Sequence, residues 1–453
     1  MREFEIDILR TEGSPADAPA GIAIGSRDIV FTRLLRQGAN APEDHLKAPP
    51  AQLAFWFVDN WWRLLSECVP AFGPTAEWRL AHDLASIGGY AWPRLAFWGE
   101  GHRVGLSSRS DPAGVVGPVR YLIDALIYVS AAAFETEASQ FLELVSDERS
   151  VLASDWAALR TQIDALAAER EDPELSAWRR LEAQLGYDID EAPEGLIAAL
   201  HKFEREYGVG AIAEAALATQ GAEAATVLET EIAAANDRHW QCDLRRTAVL
   251  VGRIERRPDD TPWRLGEIAA EGVRAATGYQ SGPLRNKALA EILNVRGNAF
   301  EGVQLTGGPL ELPYGLRLNT GRRRGEVVAL SSRWSADRRF EFSRALGDAI
   351  WSEGERLGPL TRAKSERQKF QRAFAQSLLC PYDALQAYIG DDKSDGALTA
   401  AAKHFHVSDR LIRSLLVNKG ALQRRRLGDF STSHALAGYE PSTVEFDEVV
   451  EAA

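Results

Sequence analysis

The chain has 453 residues, 45% of them hydrophobic and 26% charged, with a formal charge of −13. That length exceeds what one core usually organises and points to two or three domains, while the acidity excludes a generally basic nucleic-acid binder. No apolar run reaches the about 20 residues of a membrane span and the start MREFEIDIL lacks a signal-peptide core, so a cytoplasmic protein with no membrane partner is expected.

To about Gly117 the pattern mixes strands and helices. FEIDIL (Phe4–Leu9), GIAI and DIVFTRLL between Gly21 and Leu35, and HRVGLSS (His102–Ser108) read as strands bounded by turn residues. QLAFWFVDNWWRLLSEC (Gln52–Cys68) reads as a helix apolar on most of its surface, hence buried. Six of the twelve tryptophans (Trp56, Trp61, Trp62, Trp78, Trp92 and Trp98) precede residue 100, where core packing is the expectation and a base-stacking platform the alternative. His82 reads as a capping or packing histidine.

From Val119 to about Ala235, apolar residues recur at three and four, which predicts helices almost throughout, YLIDALIYVSAAAF included. Breaks at Asp172-Pro173, Gly186, Pro193, Gly208 and Gly221 give a bundle of short helices. This region holds the acidity: Val151–Trp240 has 18 Asp/Glu against 7 Lys/Arg. In the loop Gly186–Gly195, Asp188, Asp190 and Glu191 lack EF-hand length and periodicity, so helix capping is expected of them, not calcium binding. Cys68, Cys242 and Cys380 are isolated, without the spacing of a disulfide framework or a cysteine zinc site, and read as small buried apolar side chains.

In the last third, GEVVAL (Gly325–Leu330) predicts a strand, and RFEFSRALGDAI (Arg339–Ile350) a helix. AFAQSLLCP (Ala373–Pro381) and AAKHFHVSDRLIRSLLVNKGAL (Ala401–Leu422) follow. This order resembles the ImmA/IrrE family of gluzincin-like metallopeptidase domains over about Trp263–Leu422. The match rests on Arg339, Phe340, Leu346, Gly347, Phe374, Ala375, Leu378, Leu379, Pro381, Phe405, Val407, Ser408 and Gly420. The resemblance implies a zincin-like domain with a small sheet, an active-site-type helix and a terminal helical pair. It places the first zinc-binding His on Arg344, the general-base Glu on Ala345, the second His on Asp348 and the acidic ligand on Gln368.

All four positions depart from that pattern. A guanidinium offers no lone pair to a cation and alanine has no proton acceptor, so no catalytic residue, no bound metal and no cofactor are expected. Zinc enters only under an alternative in which displaced ligands (Asp348, Glu353, Glu355, Glu366 or a distant His) rebuild a site. Arg344 and Asp348, at i and i+4, are expected to pair with each other across the helix face.

The stretch from Ala402 to Arg426 carries 7 Lys/Arg against one acid, Asp409. Its two helices, with Ser408 as N-cap, resemble a helix-turn-helix, and Lys403, Arg410, Arg413, Lys419, Arg424, Arg425 and Arg426 are candidate contacts to nucleic acid or to a partner. A further basic cluster, Arg322–Arg324, reads as a solvated hairpin loop.

The expected fold is α+β, predominantly α. It divides into a mixed α/β domain over 1–117, a helical domain over 118–240, the peptidase-like domain over 241–427 and an acidic tail over 428–453. The expected function is that of a catalytically inactive pseudopeptidase: a bacterial regulatory module with a protein partner, in repressor control or phage response. A zinc peptidase and a DNA-binding regulator are the alternatives.

Overall fold

The computed structural model describes residues 2–10, 18–114, 117–147, 153–237, 240–252, 254–257, 260–301, 312–321, 325–352 and 354–423. Glu353, Arg322–Arg324, Arg424–Arg426 and the acidic tail lie outside the described residues. Among the described residues there are sixteen α-helices and thirteen mostly short strands, an α+β and predominantly α chain. No helix among them is long and apolar enough to cross a membrane.

The chain forms two compact units. Among the described residues, one unit contains those up to His201 and Gln220–Ala222; the other contains Lys202–Thr219 and those from Glu223 to Gln423.

In the first unit, Glu5–Leu9, Ala20–Ser26 and Ile29–Val30 make an antiparallel sheet that Leu46–Ala48 joins. A second antiparallel sheet has the order Arg94–Gly99, Arg103–Arg109, Ala125–Ser130. The helix Pro50–Ser66 starts with proline at its first position, where no N–H is needed, and buries Leu53, Phe57, Trp61 and Leu64. Trp56, Trp78, Trp92 and Trp98 are buried as well, so the aromatic concentration is core. His82 is fully buried, stacked on Trp78, with one ring nitrogen on the Phe97 carbonyl and the other on Glu67. All three cysteines are buried and free.

Two expectations fail here. YLIDALIYVSAAAF is not one helix: Val119–Tyr121 and Ala125–Ser130 are strands, and helix starts only at Ala131. The Leu-Ile-Tyr-Val run suits a pleated, half-buried surface, and pairing with Arg103–Arg109 (Leu106 opposite Ile127) overrides the helical spacing. The acids at Gly186–Gly195 do not cap helices. Asp188 pairs with Arg63 at 2.8 Å and Asp190 with Arg179 at 2.7 Å, because those guanidiniums are nearly buried and need carboxylates.

The second unit centres on a four-stranded antiparallel sheet, ordered Trp240–Cys242, Glu326–Ala329, Gly315–Asn319, Leu357–Leu360. The expected strand at Gly325–Leu330 and the expected helix at Arg339–Ile350 both form, the latter as Ser335–Trp351. That helix packs on Glu366–Leu379, which packs in turn on Pro262–Ala276. The last two approach closely because residue 266 is glycine: a Cβ there would stand 2.7 Å from the Phe370 carbonyl oxygen. Leu346, Phe342, Phe370 and Phe374 share one apolar cluster with Phe405, Ile412 and Leu416. The helical pair Asp395–Phe405 and Asp409–Asn418 is therefore part of this core.

Candidate functional site

Arg344 and Asp348 project from the helix Ser335–Trp351, and Gln368 and Gln371 from the helix Glu366–Leu379. The Ser365 hydroxyl caps the second helix by accepting the Gln368 N–H, which fixes where that helix begins. Between them runs the edge strand Leu357–Leu360, whose Pro359 is tolerated because an edge position needs no full ladder.

Asp348 is fully buried. Its Oδ2 accepts from Arg317 Nε at 2.8 Å, and its Oδ1 accepts from Arg367 Nε and Gln371 Nε2, each at 2.7 Å. Arg317 also donates to Glu326 and Ser352, and Arg367 to Glu355 and the Leu357 carbonyl. Burial alone would push the Asp348 carboxyl up, but the Arg367 and Arg317 guanidiniums overcome it and hold the group below the usual carboxylate value. No side chain fits at residue 358, because a Cβ on Gly358 would lie 1.8 Å from Asp348 Oδ2.

Arg344 has no carboxylate partner. It donates to the Leu360 carbonyl at 3.1 Å, the Thr361 carbonyl at 2.7 Å, Gln371 Oε1 at 3.1 Å and Gln368 Oε1. Burial, with Arg372 nearby, pulls its guanidinium down to about 9. The expected Arg344–Asp348 pair does not form. Asp348 is taken by arginines 31 and 19 residues away, and Gln371 bridges the two side chains instead, accepting from Arg344 and donating to Asp348. Both glutamines also donate to the Pro359 carbonyl, Gln368 at 2.9 Å and Gln371 at 3.3 Å. The carbonyls of Leu357, Pro359 and Leu360 thus all accept side-chain donors, which covers this sheet edge.

The helix Val209–Thr219 closes the cluster with Glu214, whose Oε1 accepts from Ser365. Burial raises the Glu214 carboxyl above its ordinary value against the opposing pull of Arg367. Arg317 and Arg367 together pair with Asp348, Glu326 and Glu355. Ala345 has no place in this network; it is fully buried in the apolar cluster.

This donor set does not fit zinc. The positions where imidazoles would stand hold a guanidinium and a carboxylate already saturated by two guanidiniums, and the Gln368 amide is engaged at both ends. Among the described residues, no group of three or more His, Cys, Asp or Glu side chains could hold a metal ion. Of the alternative ligands, Glu355 is committed to Arg367 and to the Gly210 N–H.

No family model, no curated protein and no solved structure matches the chain. The site therefore has to be read from its own chemistry.

The basic residues of the helical pair are partly neutralised. Arg413 pairs with Asp395 at 2.9 Å and Lys419 with Glu267 at 2.5 Å, while Arg410 raises no such bond but lies in the field of Asp337. Lys403 is exposed, and Arg424, Arg425 and Arg426 lie outside the described residues.

The resemblance singles out Arg344, Asp348 and Gln368, which do come together, but not Arg317, Arg367, Gln371 or Glu214. One signal was available. Arg317 interrupts an otherwise apolar strand, Leu316-Arg317-Leu318, and a charge there calls for a buried counter-charge.

Proposed function

We propose that the second unit is a catalytically inactive relative of ImmA/IrrE peptidases, acting in the bacterial cytoplasm as a regulatory module that binds a protein partner without cutting it. The observation that carries this reading is Asp348. A carboxylate already neutralised by Arg317 and Arg367 and bonded by Gln371 attracts an ion weakly, and Arg344 beside it repels one. The position of the general base supports it too, since Ala345 faces apolar side chains and cannot take a proton from water.

The ion pairs of Arg413 and Lys419 favour a packed helical pair over a DNA-reading one, because a phosphate would have to displace Asp395 and Glu267. The partner is therefore sought among proteins. The test is cross-linking of the full chain in its host, followed by mass spectrometry of what is attached to residues 223–423. An intact partner, with no chelator-sensitive fragments when it is incubated with the purified chain, is expected. A partner recovered as fragments, produced by the chain and blocked by chelator, would contradict the reading.

A further inference from the structure

The helix Ala224–Asp237 packs against the strands Gly315–Asn319 and Glu326–Ala329 and against the helix Val209–Thr219. Its inward face is apolar, with Leu228, Ile232 and Ala235 buried, and one residue breaks that pattern: Glu231 is 0% exposed. Among the described residues, neither carboxyl oxygen of Glu231 has a hydrogen-bond partner, and the neighbouring Tyr314 phenol has none either. The Tyr314 backbone N–H lies near the carboxyl but outside bonding geometry.

Among the described residues, no cation acts on Glu231. The charged group acting on it is Glu341, of like sign, whose own oxygens accept from Ser331 and Ser332. On the packed elements, Arg317 is committed to Asp348 and Glu326, and Glu214 accepts from Ser365. A carboxyl in this setting is tolerated only with its proton on, because an ionised one would be buried without a counter-ion or a donor.

We propose that Glu231 is a protonation switch: neutral, it lets the helix Ala224–Asp237 dock on the sheet; ionised, it releases the helix. Burial pushes this carboxyl up to about 8, against the pull of the Tyr314 N–H and with the help of Glu341. Once the helix undocks, the carboxyl returns to its ordinary value near 4.5. The raised value belongs to the docked state of an acid, so docking is strongest at low pH. It weakens as pH climbs from about 4.5 and levels off above about 8. Within that window the opening constant rises about tenfold per pH unit. This switch is independent of whether the unit binds or cuts a partner.

Hydrogen exchange of the full chain, followed by mass spectrometry and corrected for intrinsic rates, tests it. Between pH 6 and pH 8 the peptides covering residues 224–237 should lose protection about fiftyfold. Other helices of the unit should not. Glu231→Gln, isosteric and never charged, should abolish the pH dependence. Glu341→Gln, which removes the like charge that helps raise Glu231, should make the pH dependence level off at lower pH with a smaller total loss of protection, and serves if the first variant does not fold. Equal pH profiles for the wild type and Glu231→Gln would overturn the proposal, as would a flat profile in the wild type.

Discussion

Asp348 is the residue on which most of the second unit's polar interior depends. Two guanidiniums and an amide converge on one carboxylate, so converting it to a neutral group leaves Arg317 and Arg367 buried with less than they need. Asp348→Asn should cost about 3–5 kcal/mol in chemical denaturation of the full chain, the range for breaking a buried ion pair from one side. The pH dependence has a definite sign. The folded carboxyl is held below its unfolded value of 3.8, so its stabilisation is complete above that pH and is lost as acid protonates it. Denaturation midpoints of the wild type should fall steeply below about pH 4, and Asp348→Asn should flatten that part of the curve. The resemblance to the peptidase pattern brings Arg344, Asp348 and Gln368 under suspicion together. It could not show that Asp348 would prefer Arg317 and Arg367, because those partners arrive from another strand and another helix.

At the scale of elements, what was legible followed from periodicity and capping. The helix Ser335–Trp351 and the pair Asp395–Phe405 and Asp409–Asn418 form where apolar spacing and the serines place them, with Ser408 accepting the Leu411 N–H. Ser408→Ala should destabilise the second unit by about 1 kcal/mol, read as a shift in the denaturation midpoint with unchanged slope. A larger loss accompanied by a changed slope would mean that the pair holds more of the core than its cap. The segment Val119–Ser130 was misread for a physical reason. Ile127, Tyr128 and Val129 satisfy a helical window as well as a pleated one, and only the partner strand Arg103–Arg109 decides between them.

At the scale of the molecule, composition bounded the number of cores but not where they divide. The helices between 131 and 237 looked like one bundle. In the structure those up to His201 belong with the tryptophan-rich core, whereas Val209–Thr219 and Ala224–Asp237 cover the sheet of the second unit. No periodicity marks that boundary, since all these helices share an Ala-Leu-Glu composition. What decides it is chemistry at single positions: Glu214 reaches Ser365, and Gly208 and Gly210 lie against Glu355, where any larger residue would collide. The claim that joins these scales is that Arg344, Asp348 and Gln368 form a closed network with no vacancy for an ion. Zinc titration of the purified full chain by calorimetry, paired with elemental analysis of protein prepared without chelator, tests it most directly. The expected result is no saturable zinc binding that depends on Asp348 and less than stoichiometric metal. One equivalent of zinc per chain, lost in Asp348→Asn, would contradict it.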